Sequence, residues 1–176
     1  MTTTPPVLTV RPIDPVADAP VIHRWVTEAR GSFWMMSEFT LQEVVEVYTW
    51  LDEQPTHTAS FVCVDGEPAA IVQTYRLDAE VEPISRLFDH RPGDLGIHFF
   101  VAGGDTRRPG WTMQLVAAGA QAVLADPAVR RLVLDPDVEN AAAIAIGERV
   151  GGVRGPVLDL GHKIAQVLTV EADLLR

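Results

Sequence analysis

Hydrophobic and polar positions change period along this chain, and each change marks an element. Residues 7–11 alternate, which predicts a first strand. A turn follows at Asp14-Pro15, and Asp18 stands where a helix cap is expected. Ile22, Trp25 and Val26 then fall on one face of a helix reaching about Glu28. Gly31 and Ser32 break it, ahead of an aromatic and soft cluster, Phe33, Trp34, Met35 and Met36. Thr40 with Glu43 three residues later forms a capping box. Behind it Leu41, Val44, Val45, Val47, Tyr48 and Leu51 make a helical stripe, which Gln54-Pro55 ends.

Residues 60–64 and 68–77 read as two strands joined by Asp65-Gly66, a strong hairpin signal. Residues 78–93 form a polar, Pro-containing connection, and residues 94–101 form the next strand. Gly103-Gly104-Asp105 makes a turn. Residues 112–124, apolar and Ala-rich, predict a well-buried helix. A short buried strand at 131–134 precedes a helix at 140–150, ended by Gly151-Gly152. Residues 157–160 and 163–170 close the chain as two strands. The order β-α-α-β-β-β-α-β-α-β-β, without repeat or linker, fits an α/β (mixed α+β) fold with helices on both faces of a mixed sheet. One domain is expected from residue 7 to residue 176, after a disordered Thr/Pro tail at 1–6.

A chain of 176 residues that is 47% hydrophobic has enough apolar side chain for a full core. No apolar run approaches the length of a membrane span. The first six residues lack the basic region and apolar core of a secretory signal, so a cytoplasmic protein is expected. The lone Cys63 excludes an intrachain disulfide. Its neighbours Phe61, Val62 and Val64 suggest a buried thiol in a strand. A net charge of −10 opposes binding to a phosphate backbone and suits a cationic substrate such as an amine. The remaining histidines, His23, His57, His90 and His162, are scattered at no metal-binding spacing.

Three segments carry candidate chemistry. Gly93-Asp94-Leu95-Gly96-Ile97-His98 leads through a strand that holds an ionisable imidazole. A free imidazole titrates near ~6.5, which suits proton removal at neutral pH. Arg107, Arg108, Gly110, Trp111 and Thr112 stand where that strand gives way to a helix. A helix start offers free N–H groups and partial positive charge to a phosphate, Gly110 permits close approach, and the two arginines add charge-assisted contacts. A solvated basic turn explains the same residues. The third segment, Asp135-Pro136-Asp137-Val138-Glu139-Asn140, ends a strand in carboxylates just before a helix.

Together, Arg107-x-x-Gly110-x-Thr112 and Asn140-x-x-Ala143 resemble the GNAT acyltransferase superfamily, whose fold is a central, mostly antiparallel mixed sheet. Thr112 replaces the last small residue of its pyrophosphate loop, and Gly151-Gly152 replaces the usual Gly-Phe. Further segments resemble the siderophore-biosynthesis N-acyltransferases of the aerobactin and mycobactin type. These are His23-Arg24-Trp25-Val26 with Phe33-Trp34, Gly66-Glu67-Pro68 leading to Tyr75 and Asp78, Gly93 to His98, and Lys163-Ile164-Ala165. Arg76 stands where that family often has an aromatic, and Asp135 where it often has Glu.

The resemblance implies an acyl-CoA co-substrate, acetyl or longer, no metal, and a hydroxylamine or amine acceptor of the hydroxylysine or hydroxyornithine kind. It implies His98 as base, with Asp137 orienting it or the amine. A capping role in the Pro turn accounts for Asp137 equally well, and Asp135 is the weaker candidate. Backbone N–H groups of Phe99, Phe100 and Val101 would polarise the thioester carbonyl. Asn140 would hold the pantetheine or cap its helix, and Trp111 would cover the cofactor. Trp34, Gln73, Tyr75 and Asp135 would lie on the substrate side, while Trp25 packs in the core. Many superfamily members carry a Tyr acid on the last helix; Gly147 stands there in this chain. A monomer or weak homodimer is expected. Two other readings fit the sequence: an aminoglycoside 6′-N-acetyltransferase, and a non-catalytic module that binds acyl-CoA or a partner.

Overall fold

In the computed structural model, which describes residues 5–103 and 109–176, the opening alternation forms β1 (Leu8–Pro12). It pairs antiparallel with β2 (His57–Val64), Leu8 opposite Val64. Asp65 and Gly66 both have positive φ (50° and 91°), the geometry of a tight hairpin turn, and lead into β3 (Glu67–Arg76). β4 (Asp94–Val101) runs parallel to β5 (Arg131–Leu134). β7 (Ile164–Glu171) pairs antiparallel with both β5 and β6 (Val153–Asp159). The strands are ordered β1-β2-β3-β4-β5-β7-β6 in one mixed, mostly antiparallel sheet. The helices are α1 (Ala19–Thr27), α2 (Leu41–Glu53), α3 (Ile84–Leu87), α4 (Trp111–Val123) and α5 (Ala141–Arg149).

The described residues fall into two compact units. The first takes those within Met1–Glu53, Ala59–Val72 and Phe99–Ala122; the second takes Gln54–Thr58, Gln73–His98 and Val123–Arg176. The core of the first gathers Ile22, Trp25 and Val26 of α1, Val44 and Tyr48 of α2, and Phe61, Ile71 and Phe100. Trp25 meets Phe61 edge-on at 5.6 Å and stacks on Phe100 at 6.1 Å. Cys63 is buried there, as its apolar neighbours predict, and burial raises its thiol pKa. The core of the second unit gathers Tyr75, Leu77, Ile84, Val133, Leu160, Ala165 and Val167.

The capping box forms as predicted: the Thr40 N–H donates to Glu43 Oε2 at 2.7 Å, and the Glu43 N–H to Thr40 Oγ1 at 3.3 Å. Asp18 differs. It occupies the N-cap position of α1 without a capping hydrogen bond. Its carboxylate instead accepts both guanidinium nitrogens of Arg11, at 2.7 and 2.9 Å, and the Asp14 N–H. The Arg11 hydrogen bond is the main cause of its lowered pKa.

The connection at 78–93 contains α3, too short to show a helical period. β6 begins four residues before the predicted strand, because Gly155-Pro156 masks it. It is an exposed edge strand with a register irregularity between Arg154 and Val157, where such residues are tolerated. No helix is long and apolar enough to cross a membrane among the described residues. Of the tail, Met1–Thr4 lies outside the described residues, as do Gly104, Asp105, Arg107 and Arg108.

Candidate active site

The segment from Gly93 to His98 is built for a purpose at nearly every position. Gly93 turns at φ +87°, a conformation that strains any other L-residue. Asp94, its side chain buried, accepts Nε of Arg131 at 2.7 Å and pairs with the same guanidinium a second time. Asp94 and Arg131 are also register partners, so this bidentate clamp fixes the parallel pairing of β4 and β5. Gly96 makes room for an aromatic ring: a Cβ there would lie 2.1 Å from Tyr75. Two residues on, His98 emerges from the same strand, with Tyr75 at 5.1 Å between ring centroids.

His98 Nε2 lies 2.7 Å from Asp135 Oδ1. The other oxygen, Oδ2, is 3.3 Å from Lys163 Nζ. Exposure grades across the three: the side chain of His98 is 32% accessible, that of Lys163 14% and that of Asp135 5%. The imidazole is therefore the accessible end of a buried charge array. Burial pushes the Asp135 carboxyl up, but the charge and hydrogen bond of His98, then those of Lys163, outweigh it and hold the pKa below the usual carboxylate value. An ionised carboxylate only accepts, so the hydrogen on His98 Nε2 points at Asp135 Oδ1.

The partner of His98 is thus Asp135, not Asp137. Asp137 Oδ1 accepts the Glu139 N–H at 2.8 Å, the local turn bond typical of Asp after proline, and the Asp137 carbonyl accepts the Asn140 N–H. Asp135 is only 4% exposed, with one carboxylate oxygen on His98 and the other on Lys163. Tyr75 is buried as well: it is 2% exposed, and its hydroxyl makes no hydrogen bond among the described residues. Burial, followed by the negative charges of Asp135 and Glu82, raises its pKa well above the ordinary phenol value and keeps it neutral. Gln73, two residues earlier on β3, is partly buried.

A second histidine, His57, meets the other neighbourhood of Tyr75 at 6.1 Å between centroids. Its Nε2 is 3.2 Å from Glu82 Oε1 and its Nδ1 2.9 Å from Thr56 Oγ1. Sequence reading names His57 and Lys163 but pairs neither with its carboxylate, because the partners are distant in the chain.

In the first unit, Phe100 is buried in the core and Trp34 meets it edge-on at 5.5 Å, so Trp34 is in part a packing residue. Phe99 packs on α4 closely enough that a Cβ on Gly119 would lie 2.6 Å from its ring. The Val101 carbonyl accepts Arg30 at 3.2 Å. Gly110 has φ +82°, and among the described residues a Cβ there would meet nothing within 4 Å. Its carbonyl accepts the Gln114 N–H, opening α4 at Trp111 and Thr112. The N-terminus of that helix thus begins in a glycine turn that no described residue crowds, which fits a phosphate-bearing ligand. In the second unit, Asn140 Oδ1 accepts the Ala143 N–H at 3.1 Å, so the residue caps α5.

The profile of the acetyltransferase (GNAT) domain family matches residues 14–160. N(6)-hydroxylysine O-acetyltransferase of Escherichia coli is 24% identical over 168 residues, 93% of this chain and 52% of that protein. The chain thus spans about half the length of this curated relative. Among solved structures, an uncharacterized protein from Bacillus halodurans superposes with a TM-score of 0.87 at 19% identity, over 97% of this chain and 86% of that one. Aminoglycoside acetyltransferase AAC(6′)-Ib in complex with coenzyme A superposes at 0.82 with 22% identity, over 96% of each chain. Spermidine N-acetyltransferase from Vibrio cholerae, with CoA and spermine, superposes at 0.72 with 15% identity, over 96% of this chain and 97% of that one. At these identities the structural likenesses establish the fold.

Proposed function

This chain belongs to the GNAT acetyltransferase domain family, and from that premise we propose that it transfers an acetyl or other acyl group from acyl-CoA to the nitrogen of a hydroxylamine or amine. The acceptor resembles hydroxylysine or hydroxyornithine, and the setting is cytoplasmic siderophore or related natural-product assembly. The observation that carries this reading is the His98–Asp135 pair, one accessible imidazole backed by a buried carboxylate.

In the proposed reaction the thioester supplies an activated acyl carbon. His98 accepts the proton of the attacking nitrogen as the new C–N bond forms, and the C–S bond breaks to release CoA thiolate; solvent protonates the thiolate and takes the proton back from His98. Asp135 holds the ring and stabilises its protonated form. Backbone N–H groups of Phe99, Phe100 and Val101 face the developing oxyanion and the pantetheine. Arg107, Arg108, Gly110, Trp111 and Thr112 hold the pyrophosphate at the start of α4, and Asn140 contacts the pantetheine while capping α5. Trp34 and Gln73 line the acceptor side. The chain acts as a single domain, in a monomer or weak homodimer.

Mass spectrometry of the protein incubated with a panel of acyl-CoAs and N6-hydroxylysine, N5-hydroxyornithine, lysine or kanamycin tests the proposal. An acylated hydroxylamine or amino acid is the expected product. Acylated kanamycin alone would reassign the chain to antibiotic modification. CoA binding without any product would make it a non-catalytic module.

A further inference from the structure

We infer that Lys163 is a positioning residue which, by holding the second oxygen of Asp135, keeps His98 neutral and therefore able to accept a proton at neutral pH. This rests on the reading of His98 as the base.

Lys163 is an unusual occupant of its place. Its side chain is largely buried, and lysines are rarely buried without a partner. The hairpin between β6 and β7 puts it there. Gly161 turns at φ +86°, Asp159 Oδ1 accepts the Gly161 N–H, and the Leu160 N–H donates to the Lys163 carbonyl. The start of β7 is then zipped to the segment after β5: the Gln166 N–H donates to the Pro136 carbonyl, the Val138 N–H to the Ile164 carbonyl, and Asp137 bridges Ala165. That zipper brings the ammonium to Asp135 Oδ2, 3.3 Å away.

The electrostatic consequence has a definite sign. With His98 neutral, Asp135 and Lys163 form a buried pair of zero net charge. With His98 protonated, the array carries a net positive charge in a poorly solvated site. Without Lys163 the order reverses: neutral His98 leaves a buried lone carboxylate, and protonation relieves it. Lys163 therefore opposes protonation of His98, against the pull of Asp135. Other ionisable groups stand near the array among the described residues. Tyr75 is held neutral, Asp137 is engaged in its own turn, and His57 with Glu82 meets the array through the Tyr75 ring.

The test is a histidine-labelled NMR titration of the full chain, with the His98 resonance assigned by its loss in His98→Gln. Lys163→Met and Lys163→Gln should each move the His98 midpoint about one pH unit upward. The acid limb of kcat/KM should move with it. Lys163→Arg, which restores the charge, should bring both back towards the wild-type position. A His98 midpoint unmoved in Lys163→Met or in Lys163→Gln overturns the inference. The NMR reading needs no turnover, so the two readings fail separately. If the midpoint moves but His98→Gln turns over at the wild-type rate, the coupling stands and the assignment of His98 as base is wrong.

Discussion

A Cβ placed on Gly96 would lie 2.1 Å from the ring of Tyr75, so β3 and β4 fit together here only because residue 96 has no side chain. The ring packs on the strand two residues before His98, and the three residues form one packed unit. Gly96→Ala must push Tyr75 aside or bend β4. Stability should fall by about 1–3 kcal/mol, the usual cost of overpacking, as read by urea denaturation. Acyl transfer should fall with it as His98 moves. Wild-type stability in this variant would show that the ring is free to shift.

Asp135 should show both catalytic and stability effects. Asp135→Asn leaves Lys163 buried without its counter-charge, a change that costs about 3–5 kcal/mol where such pairs are broken. It also replaces an acceptor-only carboxylate by an amide that donates as well as accepts, so the His98 tautomer is no longer fixed and kcat should fall by about 10²–10⁴. Wild-type kcat in Asp135→Asn would remove Asp135 from the positioning role.

The pH dependence follows from the same carboxylate. Its folded-state pKa lies below the ordinary value of ~3.9. The stabilisation it supplies is therefore complete above that ordinary value and is lost as pH falls from there through the lower folded-state pKa. Acid unfolding curves of wild type and Asp135→Asn should converge below about pH 4 and separate above it. Parallel curves would show that Asp135 does not contribute this linkage.

Asn140 gives a split prediction. Asn140→Ala should cost about 1 kcal/mol through the lost cap of α5. The proposed contact with pantetheine adds a rise in KM for acyl-CoA. A stability loss with KM unchanged would leave Asn140 as a cap alone.

Local signals in the sequence translate well into structure. Thr40 with Glu43, Asp65-Gly66, and the strand through His98 are each specified by neighbours within a few positions, and each forms where expected. The partner of His98 is not legible in this way. Asp135 and Asp137 have the same parity after β5, so alternation does not separate them. The turn at Pro136 decides, engaging Asp137 with the Glu139 N–H and leaving Asp135 facing inward, continuous with fully buried Val133. Tyr75 eludes local reading for a related reason. A tyrosine on a strand reads as amphipathic, and only the bare Gly96 on a strand distant in sequence shows that its ring goes inside. Lys163 and the Asp94–Arg131 clamp depend on pairs 28 and 37 residues apart, which no local pattern records.

The most direct test of the central claim is single-turnover acyl transfer from acetyl-CoA to N6-hydroxylysine by wild type and His98→Gln, with acetyl-CoA binding measured alongside. The account predicts a chemical step slowed by about 10²–10⁴ with acetyl-CoA affinity unchanged. A chemical step of wild-type rate in His98→Gln would contradict it.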